Sequence, residues 1–358
     1  MGAALFAGSA GFRPIQRFDV TRFRAHYAAV GAEPTTASLA DTFVRVARDA
    51  IGMAGLDPTV RAAVLLGTQG DWTGLTRYWR SGAVDGLPAA TAAFHAAEIA
   101  GRLGIAAGRR RAFIHGCVAA TTAIIHGCQL IAAGREQVVL AGGGYLVEEE
   151  FFAKFDSGHA LSTGDALRPF SVGRSGLLLG DGVGVLVLEP ADAVRARGGQ
   201  PLAVVAGWGQ ASDAHHVCRP HPDGAGLARA MTAAMARAGA SGPDIDYVNA
   251  HGTGTPVNDP AETAALRSVF GDAMPPVTST KSMTGHALEG SGALEAVISL
   301  LALRHGVIPP TAGFLGPDPD CALDCVPNEA RPADLRQVMS VSAAFGGVNA
   351  ALVLRRPA

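Results

Sequence analysis

Between Arg111 and Ala133 an extended run passes through one glycine directly into a helix of small residues, Ala112-Phe-Ile-His-Gly-Cys117-Val-Ala-Ala-Thr-Thr-Ala-Ile. Glycine permits a tight approach at the handover, and the small residues after it let the helix lie close to its neighbours. A strand that ends at a closely packed helix belongs to α/β architecture. The chain's 46 glycines and many alanines favour that class over an all-β one.

The same placement makes Cys117 a candidate nucleophile. At a helix N-terminus, unpaired N–H groups and the positive end of the dipole are expected to favour the thiolate near neutral pH. Ile114-His-Gly-Cys117 is echoed by Ile125-His-Gly-Cys128 eleven residues later. On one helix Cys128 would sit roughly 16 Å further along the axis, where no free N–H groups remain, so it reads as core. Free cysteine is commonly buried, and local sequence leaves the packing reading open for Cys117 too.

Composition closes several other classes. Apolar residues make up 48% of the 358 and the mean hydropathy is +0.23, yet charges cut every long apolar run, Asp181 within 177–188 and Glu295 within 293–303. No segment is expected to span a bilayer, and the N-terminus carries no basic leader pattern or myristoylation signal, which predicts a cytoplasmic protein. A net charge of −2 leaves no electrostatic footprint for nucleic acid. Five cysteines at scattered spacings argue against a disulfide framework, and Cys321 with Cys325 lacks the partners of a zinc site.

Periodicity predicts helix over 40–55, a buried strand over 62–67, helix over 91–103, strand over 112–115, helix over 117–133 and strand over 137–141. Gly180-Asp-Gly-Val-Gly184 leads into a strand and not a helix, so it reads as close backbone packing and not as a phosphate loop. After a charged junction at 189–200, helix 224–239, strand 245–250, helix 260–270, strand 276–279, helix 290–305 and a closing hairpin over 337–342 and 350–355 follow in a similar order. This predicts a mainly parallel sheet in each of two halves, 1–190 and 200–358.

His251 comes off an apolar strand into Gly-Thr253-Gly-Thr255-Pro, and strand ends in open α/β sheets are where ligands bind. His286 closes the polar loop Thr278-Ser-Thr-Lys281-Ser-Met-Thr-Gly-His286. Either alone reads equally as a structural histidine, but a thiol with two imidazoles suits covalent acyl transfer with stabilisation of a developing oxyanion. The Thr253 and Thr255 hydroxyls could hydrogen-bond an extended amide-containing arm. His215-His-Val-Cys218 mixes metal-ligating types, but adjacent histidines on a strand face opposite sides and do not share an ion easily.

Taken together, Cys117 and its small residues, Arg168-Pro-Phe with Leu178-Leu-Gly-Asp-Gly-Val-Gly, Ser212-Asp-Ala-His-His, Asn249-Ala-His-Gly-Thr-Gly-Thr-Pro-Val-Asn-Asp-Pro-Ala-Glu262, Ser279-Thr-Lys-Ser-Met-Thr-Gly-His286 and Phe345-Gly-Gly-Val-Asn-Ala resemble a β-ketoacyl synthase. That family comprises decarboxylating condensing enzymes of fatty-acid and type II polyketide synthesis, and the likeness runs from about residue 8 to the end. It implies a thiolase-like five-layer α/β/α/β/α fold of two pseudo-repeated halves, the first carrying the nucleophile and the second the histidines. It also implies Cys117 as acyl acceptor, His251 and His286 as the paired histidines, and Lys281 and Glu262 as supporting charged residues. The amides of Cys117 and Phe345 would form the oxyanion hole, with Phe345 also the gate beside the thiol.

The implied reaction takes acyl and malonyl groups from acyl carrier protein, needs no metal or organic cofactor, and runs in a homodimer or in a heterodimer with a chain-length factor. A non-catalytic partner subunit of a type II polyketide ketosynthase is the alternative, although such subunits lack the nucleophilic cysteine. The late Phe345-Gly-Gly turn, where a thiolase would want a second cysteine, and the Lys281-to-His286 motif argue against thiolases and chalcone-type synthases.

Three departures accompany the likeness. Ala343-Ala344 stand where relatives carry a second phenylalanine and a glycine, Arg174 lies in Ser-Val-Gly-Arg-Ser-Gly where relatives have acidic neighbours, and the stretch between about 27 and 110 is short. In addition, Ala4–Ile15 already matches the region after the family's first strand. The usual first strand, a central parallel one, is therefore expected to be missing, through a start site placed too late or a shortened chain, with an opened core as the consequence.

Overall fold

The computed structural model describes residues 2–31, 38–70, 72–85, 87, 91–105 and 108–357. In the first half the main elements are α1 (Leu39–Met53), β1 (Ala63–Gly67), α2 (Trp72–Ser81), α3 (Ala92–Arg102), β2 (Arg110–Phe113), α4 (Ala119–Ala132), β3 (Val139–Tyr145), α5 (Glu149–Ser157) and β4 (Gly182–Leu188). They form a sheet of order β2-β1-β3-β4, in which β1 runs parallel to β2 and β3 while β4 is antiparallel to β3.

The second half holds β5 (Val204–Ser212), α6 (Ala225–Ala238), β6 (Tyr247–Asn249), α7 (Asn258–Phe270), β7 (Val277–Thr278), α8 (Ser291–His305), β8 (Gln337–Ala344) and β9 (Val348–Arg355). Its sheet has the order β5-β9-β8-β6-β7, with β6 parallel to β7 and β8, and β9 antiparallel to β8 and β5. β3, β4, β1 and β2 therefore repeat the arrangement of β8, β9, β6 and β7.

Side chains alternate across each strand, and at β1 and β3 both faces are covered, which is why these strands read as unbroken apolar runs. Val64, Leu66 and Leu140 face outward to Phe43 and Val44 of α1 and Ile99 of α3. Ala63, Leu65, Val139 and Ala141 face inward to Ala123 and Ile124 of α4 and to Ala293 and Ala296 of α8, which also meet Ala350 and Leu352 of the second sheet. Val248, Val341 and Val353 point the other way, onto Leu227 and Met231 of α6 and Leu266 of α7. The result is five layers, with α4 and α8 as the shared middle one.

The expected opening of the core through loss of a central strand is corrected by this topology. β5 lies at the outer margin of the second sheet beside β9. Among the described residues no strand takes the matching place beside β4, so the difference between the sheets falls at an edge. β3, in the interior, is buried at every residue.

The start of α4 is pressed directly onto the end of β1. A Cβ added to Gly67 would come 2.3 Å from the Ala120 nitrogen and 2.5 Å from the Ala119 carbonyl carbon, both backbone atoms with little freedom to yield. Gly67→Val is therefore expected to destabilise the protein by about 1–3 kcal/mol, the usual range for overpacking. Chemical denaturation measures it, and an unchanged midpoint would contradict the contact.

Candidate active site

Cys117 occupies a 3-10 turn, Gly116–Val118, immediately ahead of α4. Gly116 adopts φ 55°, a left-handed conformation that glycine takes without cost. His251 lies two residues beyond β6. His286 follows the single turn Lys281–Thr284, with Gly285 at φ 68° between them, where an added Cβ would meet the Leu179 carbonyl at 2.6 Å. The first half then grips His286 from both sides: its amide donates to Leu178 O at 2.7 Å, and its carbonyl accepts from Gly180 N at 3.1 Å.

These elements bring the three residues together. His286 Nε2 lies 3.1 Å from Cys117 Sγ, and its Nδ1 shares a 2.9 Å hydrogen bond with Ser291 Oγ. The His251 and His286 rings meet edge to face with centroids 5.3 Å apart. Lys281, fully buried, donates to the His251 carbonyl at 2.6 Å, reaches His251 Nδ1 at 3.3 Å, and forms a salt bridge with Glu295. An ammonium donating to Nδ1 leaves the His251 proton on Nε2.

Burial holds both imidazoles well below the ordinary histidine range, and the Lys281 charge pushes in the same direction. The rings are consequently neutral at neutral pH and can present N–H groups to developing negative charge. The thiol departs from the expectation of a favoured thiolate. Burial, reinforced by the nearby Glu289 carboxylate and opposed by Lys281, pushes Cys117 up to about 12. The position at the head of a helix is as expected, but desolvation outweighs the dipole. His286 Nε2, at 3.1 Å from the sulfur, is within reach of the S–H proton.

This has a measurable consequence. Alkylation of Cys117 by iodoacetamide, read by peptide mass, is expected to rise about tenfold per pH unit from pH 7 to 10, because the thiolate fraction grows that way below the pKa. A plateau above about pH 9 would show a thiol of ordinary acidity.

Glu262 does not reach Lys281. Its carboxylate accepts from the His251 and Gly252 amides, each at 2.7 Å, and from Asn258 Nδ2 at 3.2 Å, so it braces the backbone that presents His251. Burial pushes Glu262 up to about 7. Thr253 and Thr255 share a hydroxyl hydrogen bond at 3.0 Å, and Thr255 Oγ1 also accepts from Asn258 N at 3.1 Å. Phe345 sits on the β8–β9 turn, 55% exposed and stacked on Phe155 at 6.0 Å. That hairpin lies against the turn carrying Cys117, since a Cβ on Gly116 would be 3.7 Å from the Ala344 Cβ. Cys128 is buried, in agreement with its reading as core.

Glu295, Ser291, Glu289 and Gln69 are additions that sequence reasoning missed. In the sequence Glu295 only interrupts an apolar run; a carboxylate inside a wholly buried helix implies a buried cation, and that was the available signal. Nothing comparable marks Gln69, which lies in a loop and reaches the site only through the fold.

With this geometry established, comparison with known proteins defines the class. Residues 11–193 match the family model "Beta-ketoacyl synthase, N-terminal domain", and residues 202–315 match "Beta-ketoacyl synthase, C-terminal domain". The chain belongs to the β-ketoacyl synthase family. It is 38% identical over 392 aligned positions to the tetracenomycin polyketide synthase ketoacyl synthase alpha subunit of Streptomyces glaucescens, covering 99% of this chain and 92% of that protein. It is 41% identical over 258 positions to 3-oxoacyl-[acyl-carrier-protein] synthase 2 of Staphylococcus aureus, covering 70% of this chain and 62% of that protein, so the match spans about six tenths of that relative's length. Among solved structures, the ishigamide ketosynthase/chain length factor superposes with a TM-score of 0.92 at 35% identity, covering 100% of this chain and 94% of that one. No described helix is long and apolar enough to cross a membrane.

Proposed function

We propose that the protein is a β-ketoacyl-[acyl-carrier-protein] synthase, an acyltransferase that extends an acyl chain by decarboxylative condensation with a malonyl thioester. The 3.1 Å approach of His286 Nε2 to Cys117 Sγ, with the His251 ring beside it, carries this reading. Cys117 attacks the carrier thioester; its proton passes through His286 to the departing pantetheine sulfur as the new C–S bond forms. Loss of CO2 from the malonyl group then leaves an enolate held by N–H groups of the two histidines. Its carbon attacks the Cys117 thioester, a C–C bond forms as the acyl C–S bond breaks, and the departing thiolate takes up a proton from water.

The amides of Cys117 and Phe345 serve as the oxyanion hole in this reading, with Phe345 as the gate. Thr253 and Thr255 contact the pantetheine arm, while Lys281 and Glu262 hold His251 in place. Every step uses protein groups alone, so no metal or organic cofactor is assigned. The partners are acyl carrier protein and either a second copy of the chain or a chain-length factor, and the site of action is the cytoplasm. The names of two relatives, an acyl-carrier-protein synthase and a ketosynthase/chain length factor, support the assigned partners.

Incubation with malonyl carrier protein tests the reading. CO2 release is expected from the wild-type protein and a loss of about 10²–10³-fold from His286→Ala, as for removal of one oxyanion donor. Absence of both CO2 release and an acyl adduct on Cys117 would favour a pocket-shaping partner subunit.

A further inference from the structure

Beside the nucleophile lies a carboxyl that the condensation does not use. Glu289 is 2% exposed and sits on the short turn Leu288–Gly290, which packs on the turn carrying Cys117. Its carboxylate accepts a hydrogen bond from the side-chain amide of Gln69, in the loop leaving β1. The backbone there is wedged: a Cβ on Gly143 would meet the Glu289 carbonyl at 2.5 Å, the Ala120 Cβ at 2.6 Å and the Gly67 carbonyl at 2.9 Å. Glu289 is thus fixed where β1, β3 and the start of α4 converge, directly behind the Cys117 turn. Leu288 is held at φ 40°, a region non-glycine residues avoid, so tertiary contacts dictate the direction in which the turn presents Glu289.

The thiol also borders an apolar cluster that includes Tyr145, Phe151, Leu161 and Trp72. The Trp72 ring lies edge-on to Phe151 at 5.2 Å, and Phe151 to Tyr145 at 5.9 Å, which makes a continuous aromatic wall. Within that wall the Trp72 indole N–H is buried with no acceptor among the described residues. A buried carboxyl and an unanswered donor are both costly beside a pure hydrocarbon chain, and both are satisfied by a chain that carries oxygen. Burial raises the Glu289 pKa, and the hydrogen bond from Gln69 opposes that shift.

We propose that Glu289, oriented by Gln69, is a specificity-determining residue that selects acyl chains bearing an oxygen close to the thioester, the 3-oxoacyl class, over saturated chains of equal length. The inference deepens the reading above, since it rests on acylation of Cys117. A site built to hydrogen-bond a substrate oxygen discriminates strongly against the analogue lacking it, because its buried polar groups are then left unpaired.

The test uses the whole protein with acetoacetyl and butyryl carrier proteins, which differ only in the 3-oxygen, and follows the Cys117 adduct by intact mass. Wild-type protein is expected to load acetoacetyl at least about tenfold faster, equivalent to about 1.4 kcal/mol. Glu289→Leu should bring the ratio below about threefold, Gln69→Leu should lower it partly, and the isosteric Glu289→Gln should retain most of it. Should Glu289→Leu fail to fold, the other two variants read the same ratio. Equal loading by the wild type, or a ratio untouched by these changes, overturns the proposal. Adducts with neither chain would instead overturn the acylation reading, and the selectivity with it.

Discussion

Cys117→Ala is expected to lower condensation by about 10³-fold or more, the scale seen when a covalent nucleophile is removed, while CO2 release from malonyl carrier protein stays within about tenfold of wild type. The split follows from the geometry. In the proposed reaction the new C–C bond requires an acyl group on sulfur, whereas the enolate left by decarboxylation is assigned to His251 and His286, whose rings meet edge to face with centroids 5.3 Å apart. His286→Ala should depress both activities, because the same ring contacts the sulfur at 3.1 Å. Parallel assays of ¹⁴CO2 release and product formation check this. Equal loss of both activities in Cys117→Ala would mean that the histidines do not act on malonyl independently of the thiol.

Lys281→Met is expected to destabilise the protein by about 3–5 kcal/mol, since removal of one member of a buried ion pair leaves an uncompensated charge. Lys281 and Glu295 are both nearly inaccessible, at 1% and 3% side-chain exposure, and the ammonium additionally fixes the His251 carbonyl at 2.6 Å. Burial has already pushed Glu295 up to about 7, so an isolated carboxyl would take up a proton and soften part of the loss. The double variant Lys281→Met with Glu295→Leu should recover a substantial share of the stability but not the catalytic rate, because the His251 loop would still lack its anchor. A double-mutant cycle by urea denaturation, with activity measured alongside, separates the two effects. Additive losses in that cycle would show that the pair does not couple.

Much of the fold was legible because its strands are buried on both faces. Such strands print themselves as Ala63–Gly67 or Val139–Tyr145, runs without polar interruption. β5 escaped detection for a tertiary reason: Gly207 and Gly209 weaken its strand pattern, yet they are required because α6 lies so close that an added Cβ would meet the Ala234 and Ala230 carbonyls at 2.1 and 2.0 Å. α2 and α5 were likewise not legible, and they supply Trp72 and Phe151 to the cluster that Cys117 packs against.

The residues of the site were legible as residue types in distinctive settings: a cysteine after glycine at the head of a helix, one histidine at a strand end opening a glycine-threonine loop, and another closing a polar loop. Their mutual geometry and electrostatics were not. The helix-end rule points to an acidic thiol, and burial, reinforced by the Glu289 charge, reverses the direction, to about 12. The Lys281–Glu295 pair follows the same logic, because it forms across 14 residues only when α8 is laid in the middle layer.

By itself the sequence determined which segments alternate, which side chains seek the interior and which groups are capable of acyl chemistry, since these depend on local periodicity and residue type. The tertiary structure alone decided that Cys117 and His286, 169 residues apart, meet at 3.1 Å, that a strand end of the first half clamps His286, and that Gln69 and Glu289 stand behind the sulfur. The physical reason is that proximity and desolvation belong to the packed layers as a whole: a charge or proton affinity is set by what surrounds the group in space, and those neighbours come from both halves of the chain.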